Sequence, residues 1–290
     1  MTTFMEPSHR FTETPVTTRV APDRARSWLL VPATRPDAFS PAIHSEVDAV
    51  ILDIEDAVAP AAKAEARNTV VSWLEAGNTA WVRINDATTS FWADDLAALS
   101  GIDTLAGVML AKTESGGQVE ATASELPHGT RILALVESAM GLEATPEIAR
   151  ADSTFRLAFG SGDFRRDTGM SDEPLAMAYP RSRLVVSSRA ARLPGPIDGP
   201  TLTANDSILA RDAALTVSMG MTGKLCMHSE QAPTVNRELA PTPTDLTWAV
   251  QVVDELGADG ARVNDGSDLP RLAKALKIQE SAAVFGIEAG

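Results

Sequence analysis

The sequence predicts a single α/β domain, a (β/α)8 TIM barrel followed by a short C-terminal helical extension. The chain has 290 residues, which is long enough for one such barrel. Eight short apolar runs recur along it, and most are followed by a helical pattern. Continuous apolar runs without alternation are typical of strands buried on both faces, as in parallel sheets.

The eight apolar runs are the predicted strands, and the seventh is the weakest. They cover residues 27–32, 49–53, 80–85, 107–112, 131–137, 156–160, 196–198 and 223–228. A doubly wound sheet is the rival architecture. It usually has fewer strands and a glycine-rich first turn, and no Gly-x-Gly-x-x-Gly loop follows the first run.

Helical patterns occupy the segments between the strands and the end of the chain. They are predicted over residues 60–76, 89–99, 118–126, 145–150, 206–219, 245–256 and 269–285. The predicted domain organisation is therefore a mobile N-terminal segment over 1–25, a barrel over 26–240 and a helical extension over 241–290.

Composition narrows the class of protein. Lys and Arg number 25 and Asp and Glu number 39, so the net charge is −14, which disfavours a nucleic-acid partner. The single cysteine, Cys226, suits a reducing compartment. No apolar stretch approaches the ~20 residues of a membrane span, and the first residues lack the apolar core of a signal peptide. We expect a cytoplasmic protein with no membrane partner.

Polar residues of chemical interest follow the ends of the apolar runs. They are Asp53, Glu55, Asp56, Arg83, Asn85, Lys112, Glu114, Glu137, Asp163, Asp198, His228 and Gln231. The C-terminal ends of all strands in a β/α barrel open on one face, the mouth, where such enzymes carry their chemistry. The pattern therefore predicts an active site at the mouth.

Glu137 and Asp163 are the predicted metal ligands. Two carboxylates from neighbouring strand ends, completed by waters and substrate oxygens, suit Mg²⁺. The alternative is that Glu137 is a helix-capping or ion-paired acid. Asp163 ends Gly160-Ser-Gly-Asp163, a loop whose small residues let backbone N–H groups approach an anionic ligand, although an ordinary glycine turn has the same pattern.

Arg83 is the predicted anchor for a substrate carboxylate or carbonyl, because its planar guanidinium matches such groups. A salt bridge to Asp53 or Glu55 is the alternative, and both interactions are compatible. Crowded carboxylates raise each other's pKa, and Lys63 and Arg67 on the next helix are interpreted as structural counter-charges.

The same strand-end placement suggests the remaining roles. Catalytic roles are assigned to Arg83 and Asp53, and substrate binding to Arg83, Glu137, Glu55, Asp56 and Lys112. His228 is interpreted as structural, and Cys226 as a core residue because it lies inside an apolar run. No Ser-His-Asp order, phosphate-binding Walker loop or zinc spacing is present.

From about Arg26 to about Ala283 the chain resembles the citrate lyase β-subunit-like family of the HpcH/HpaI aldolase superfamily. The matching stretches are Arg26-Ser-Trp-Leu-Leu-Val-Pro32, Leu52-Asp-Ile-Glu-Asp-Ala-Val58 with Lys63 and Ala66-Arg67, Val82-Arg-Ile-Asn85, Lys112-Thr-Glu-Ser115, Val136-Glu-Ser-Ala-Met-Gly-Leu142, Phe159-Gly-Ser-Gly-Asp163 and Gly223-Lys-Leu-Cys-Met-His228. Their order and spacing together make the resemblance specific.

The resemblance implies a Mg²⁺-dependent carbon–carbon lyase. Its substrates would be 3-hydroxyacyl-CoA thioesters of the citryl-, malyl- or citramalyl-CoA type, split into a 2-oxo acid and an acyl-CoA, with thioester hydrolysis in some members. It also implies Mg²⁺ on Glu137 and Asp163, an arginine at Arg83, and a homotrimer or hexamer in which a C-terminal segment covers a neighbour's mouth.

The chain departs from the family pattern at three places. Ser229 replaces a common proline, and Ala111 precedes Lys112 where proline is usual. The resemblance also implies a catalytic acid that a C-terminal segment carries into a neighbouring active site. That segment is shorter here than usual, and Asp268 is the best match for the catalytic acid, with Asp265 as the alternative.

Two alternative functions fit the sequence less well. A metal-dependent 2-oxo acid aldolase acting on free acids would resemble its relatives in carrying a histidine beside the acids of the second strand, and Asp-Ile-Glu-Asp here has none. A non-catalytic barrel subunit is disfavoured by the intact set of Arg83, Glu137 and Asp163.

Overall fold

A computed structural model describes residues 20–203 and 205–289. The predicted mobile segment over 1–25 therefore falls largely outside the described residues. Its described part packs on the barrel, because Val20 and Ala25 are buried and the carbonyl oxygen of Ala25 accepts hydrogen bonds from Trp28 and Arg156.

Eight parallel strands form a closed barrel in chain order, which confirms the predicted fold. They are β1 (Ser27–Pro32), β2 (Ala49–Asp53), β3 (Ala80–Ile84), β4 (Leu105–Leu110), β5 (Ile132–Val136), β6 (Thr154–Phe159), β7 (Ile197–Asp198) and β8 (Gly223–Cys226). Strand β8 pairs with β1 and closes the ring. The predicted fourth strand lies two residues too late, and the predicted eighth extends two residues too far.

Twelve α-helices lie in the described part of the chain. They are α1 (Phe39–Ile43), α2 (Lys63–Glu75), α3 (Ser90–Leu99), α4 (Gly116–Ser124), α5 (Ala139–Glu143), α6 (Thr145–Arg150), α7 (Ser161–Thr168), α8 (Ala178–Ala190), α9 (Asp206–Ser218), α10 (Ala232–Glu238), α11 (Pro243–Leu256) and α12 (Asp268–Phe285). Five of these helices were not predicted from the sequence: α1, α5, α7, α8 and α10. Helix α8 has little apolar periodicity because Ser187 and Ser188 lie on its buried face.

Large side chains fill the half of the barrel interior that lies at the N-terminal ends of the strands. Trp28 and Trp81, each the second residue of its strand, meet edge to face with 5.4 Å between their ring centroids. The inner cluster continues with Ile51, Met109 and Leu133. This packing closes the N-terminal end, so the polar residues that follow the strands are left around the mouth.

Helices α11 and α12 pack on each other around a separate small core of Ala249, Val252, Leu256, Leu272 and Ala275. Helix α12 then contacts the residues before β1. The Arg26 guanidinium lies 4.0 Å from the centroid of the Phe285 ring, and Arg24 hydrogen bonds to Glu280. The C-terminal end of α12 is therefore attached to the barrel at the N-terminal end of β1.

None of the helices in the described ranges is both long and apolar enough to cross a membrane.

Candidate active site

A buried bidentate ion pair joins the ends of β2 and β3. The strand register sets Asp53 opposite Arg83. Arg83 Nε donates to Asp53 Oδ1 at 2.8 Å and Nη2 donates to Asp53 Oδ2 at 2.6 Å. Both carboxylate oxygens hold the guanidinium plane, so its remaining nitrogen, Nη1, has a defined direction.

Arg83 Nη1 faces the other two acids that follow β2. It lies 3.3 Å from Glu55 Oε2 and 3.8 Å from Asp56 Oδ2. Arg83 therefore forms ion pairs with three carboxylates. The alternative interpretation of Arg83, as an ion-pair partner inside the mouth, is confirmed. Burial is the main cause that raises the pKa of Glu55, to about 7, and the charges of Asp56 and Asp53 add to it against the opposing effect of Arg83.

Lys63 holds the backbone of this acidic loop. Its Nζ donates to the carbonyl oxygens of Ile54 at 3.1 Å and Glu55 at 2.8 Å. Arg67 is paired with Asp95, its Nε lying 2.7 Å from Oδ1. The structural interpretation of both side chains is confirmed, although Lys63 binds carbonyl oxygens and not the carboxylates for which it was considered a counter-charge.

Glu137 is a buried acid with few partners. It follows β5, is 4% exposed, and accepts a 2.9 Å hydrogen bond at Oε1 from the backbone N of Lys112. Lys112 presents this N–H from a left-handed conformation with φ of 44°. The pKa of Glu137 is raised to about 8, mainly by burial and also by the charges of Glu55 and Asp163, whereas Arg83 and the Lys112 N–H lower it.

Gly160 and Asp163 lie beside Glu137. A Cβ atom at Gly160 would overlap the Glu137 side chain, so glycine lets the start of α7 pack against this acid. Asp163, in the first turn of α7, accepts a 2.9 Å hydrogen bond from Arg166 Nη2. The glycine therefore makes room for a protein carboxylate, a reason different from the anion-binding loop that the sequence suggested.

The donor set of Glu137 and Asp163 fits a small divalent cation. Among the described residues no group of three or more His, Cys, Asp or Glu side chains is arranged to hold a metal ion. Mg²⁺ is commonly bound by one or two carboxylates and keeps several waters. A cation here would stabilise the ionised form of Glu137, which burial and the charges of Glu55 and Asp163 disfavour.

Two other strand-end residues are engaged in structural contacts. Asp198, the last residue of β7, accepts hydrogen bonds from Arg181 Nε at 2.9 Å and Thr216 Oγ1 at 2.7 Å. Asn85 donates to Asp95, its Nδ2 lying 2.6 Å from Oδ2. Asp95 lies on α3 and was not predicted as a functional or structural residue. Its only signal in the sequence was its position as an acid inside a predicted helix.

The described structure does not bring Asp268 to the mouth of its own barrel. Its Oδ2 accepts from the backbone N of Asn264 at 2.9 Å and of Asp265 at 3.3 Å, and its Oδ1 from Arg271 at 3.1 Å. The alternative acid, Asp265, accepts from Ser267, and this hydrogen bonding lowers its pKa.

His228 and Cys226 lie at the end of β8. His228 is exposed and precedes a short 3-10 turn, and its backbone N donates to Gln231. Cys226 is buried, and burial raises the pKa of its thiol to about 12, which confirms that it is a core residue.

Comparison with known proteins decides the family. The model of the HpcH/HpaI aldolase/citrate lyase family matches residues 26–229, and the model of the HpcH/HpaI aldolase C-terminal domain matches residues 244–286. The chain belongs to the HpcH/HpaI aldolase/citrate lyase family. The predicted resemblance is thereby confirmed, as is the prediction that the chain is an enzyme of a lyase family.

Individual members support this placement. A citrate lyase subunit beta-like protein of Mycobacterium tuberculosis is 35% identical over 238 residues, which cover 78% of this chain and 83% of the relative. Human mitochondrial citramalyl-CoA lyase is 30% identical over 284 residues, covering 86% and 83%. The crystal structure of CitE from M. tuberculosis in complex with magnesium, acetoacetate and coenzyme A matches with a TM-score of 0.76, 30% identity and coverage of 90% and 99%.

Proposed function

We propose that this protein is a Mg²⁺-dependent carbon–carbon lyase acting on a 3-hydroxyacyl-CoA thioester of the citryl-, malyl- or citramalyl-CoA type. The products would be a 2-oxo acid and an acyl-CoA. The observation that carries the proposal is Glu137, a buried acid whose pKa is raised mainly by burial and also by the nearby charges of Glu55 and Asp163. The relatives with citramalyl-CoA and malyl-CoA lyase activity in their names support the substrate class.

Glu137 and Asp163 would hold Mg²⁺, the metal named with solved CitE structures. When bound, the ion supplies a Lewis acid for the oxygens of the 2-oxo acid unit, an effect worth several kcal/mol of the barrier. The Lys112 N–H orients one oxygen of Glu137, and the contact with Gly160 limits where the other can lie.

Arg83 would stabilise the negative charge that develops as the carbon–carbon bond breaks. Its guanidinium is fixed in advance by Asp53, so little reorganisation is needed when charge appears. Asp53 is thus proposed to act through Arg83. The buried Asp53 and Glu55 charges raise the pKa of Arg83 and keep it cationic.

Glu55, Asp56 and Lys112 complete the proposed substrate site. The pKa of Glu55, raised to about 7, suits a group that holds or releases a proton near neutral pH. The half-buried Lys112 side chain would attract an acidic substrate. Asp268 is proposed to serve a neighbouring subunit of a homotrimer or hexamer, as the family resemblance implies. In its own chain it hydrogen bonds within the C-terminal segment.

A cavity beside the mouth suits the thioester carrier. It has a volume of about 230 Å³ and lies between β1, α1 and the turn after β8, with Pro32, Arg35 and His228 among its lining residues. Its largely apolar wall matches the chain of a thioester carrier, although Glu230 also lines it and Arg35 pairs with Asp37.

The test is a panel of thioesters and the matching free acids, incubated with and without Mg²⁺ and analysed by product mass. We expect cleavage of one CoA thioester only with Mg²⁺, and its loss in Glu137→Gln. Glu120→Gln, which makes the same change at an exposed position of α4, is the matched control. Cleavage of free acids alone would instead identify the aldolase, and full activity in Glu137→Gln would refute the proposed site.

A further inference from the structure

We propose that Asp167 is a positioning residue that sets the span between the Glu137 and Asp163 carboxylates. The inference rests on the proposed metal pair and assigns a role to a side chain that the proposed reaction does not use. Asp167 lies on α7 and its Oδ2 accepts a 2.8 Å hydrogen bond from the backbone N of Ala139, two residues after Glu137.

The helical spacing of the two aspartates converts this bond into a restraint on the metal site. Asp163 and Asp167 are four residues apart on α7, so they lie on one face of the helix. A bond that turns Asp167 towards the loop after β5 therefore turns Asp163 towards the same loop, which carries Glu137.

The start of α7 is held by contacts of another kind. A Cβ atom at Gly160 would overlap Glu137, and one at Gly199 would overlap Ser161, so two glycines let α7 approach its neighbours closely. These packing contacts limit how near the helix can come. The hydrogen bond of Asp167 acts almost two turns further along, and it restrains the rotation of α7 about its own axis.

Helix α7 needs such a restraint because it is short and its metal ligand has a competing partner. The helix has 8 residues, too few to be stable without tertiary contacts. Arg166 Nη2, on a side chain that is 70% exposed, binds the Asp163 carboxylate and draws it towards solvent. Mg²⁺ demands near-ideal octahedral geometry, so the position of Asp163 affects affinity directly.

The experiment compares Mg²⁺ affinity of the intact protein by isothermal titration calorimetry. In Asp167→Ala we expect roughly 10-fold weaker binding, the lower range for residues that orient metal ligands. Asp167→Asn keeps an oxygen that accepts from Ala139 and should restore affinity to within about threefold. Asp172→Ala removes the same charge from the exposed segment after α7, where Asp172 pairs with Arg165, and should change affinity by less than about twofold.

A purely structural role would lower thermal stability and leave Mg²⁺ affinity equal in Asp167→Ala and Asp172→Ala, which would overturn the inference. If Asp167→Ala does not fold, Asp167→Glu provides the test, because its longer side chain displaces α7 and must also weaken binding; wild-type affinity there overturns the inference. Glu137→Gln separates the two proposals, since unchanged Mg²⁺ binding in that variant refutes the metal site itself.

Discussion

Two buried acids at the ends of strands in this barrel have opposite electrostatic surroundings. Glu137 follows β5 and Asp198 ends β7, and both are almost fully buried. The pKa of Glu137 is raised to about 8, whereas the pKa of Asp198 is lowered, mainly by Lys224 and Arg181 acting against burial.

The difference lies in how many basic side chains are close to each acid. Asp198 contacts Arg181, accepts from Thr216 and lies 3.8 Å from Lys224 Nζ. Glu137 has one backbone N–H, and the nearby Arg83 is already held by Asp53. Burial alone therefore does not distinguish a binding site. A buried acid with several basic side chains around it holds structural elements together, whereas a buried acid surrounded mainly by other acids can bind a cation.

The largest effect on stability should come from Asp198→Asn. This change leaves Arg181 and Lys224 without their charge partner, and breaking a buried pair costs about 3–5 kcal/mol of unfolding free energy. Urea unfolding at neutral pH measures it. A loss below about 1 kcal/mol would contradict the structural role assigned to Asp198.

Arg83→Lys should lower kcat/KM about 100-fold, which corresponds to about 2.7 kcal/mol, because an ammonium cannot make the two parallel bonds to Asp53 or keep the third nitrogen in place. Steady-state kinetics on the thioester found by the panel measures this. Arg211→Lys, on an exposed side chain of α9 that pairs only with Asp212 among the described residues, is the control. Equal kinetics in both variants would show that the fixed guanidinium is dispensable.

Glu137→Gln should raise the unfolding free energy of the metal-free protein at pH 7 by about 1–3 kcal/mol. The wild-type acid is kept protonated by burial in the folded state, whereas it ionises when the chain unfolds. The variant should also lose the stabilisation by Mg²⁺. Urea unfolding with and without Mg²⁺ tests both effects, and a destabilised variant would mean that Glu137 resembles Asp198.

The pH dependence should also differ in sign between the two acids. The folded-state pKa of Glu137 lies above its ordinary value of 4.5, so its contribution to metal-free stability falls as pH rises from about 4.5 to about 8. Asp198, with a lowered pKa, contributes above its ordinary value of 3.8 and loses that contribution as pH falls below it. Apparent Mg²⁺ affinity should rise by up to about 10-fold per pH unit below pH 8.

Calorimetric titrations at pH 6, 7 and 8 measure that affinity, and thermal melts across the same range measure stability. Glu137→Gln should reduce the slope of stability against pH and leave the part due to Glu55, whereas Asp198→Asn should leave the slope in place above pH 5. Mg²⁺ affinity that does not change with pH would show that no proton competes with the metal at this site.

Much of the fold could be read from local patterns. The apolar runs located all eight strands, because a strand buried on both faces must be apolar along its length. Helices with polar buried faces escaped detection, and α8 with Ser187 and Ser188 is the clearest case. Short helices such as α7 depend on tertiary contacts, so their own sequence carries little signal.

The site was predictable as a set of residues but not as a set of contacts. Glu137, Asp163 and Arg83 were found because the end of every barrel strand opens on the mouth. The reason for Gly160 was not visible, since its neighbour Glu137 is 23 positions away in the chain. The same holds for Lys63, whose carbonyl partners depend on the course of the loop after β2.

The sequence by itself determined the barrel and the identity of the side chains at its rim. The eight apolar runs and the chain length are visible in the sequence, and the residues after each run are the ones at the rim. Only the tertiary structure decided which acids are neutralised. Arg181, Thr216 and Lys224 reach Asp198 from α8, α9 and β8, and Glu137 is left with uncompensated acids. Electrostatic energies depend on distances through space, and residues far apart in the chain set those distances.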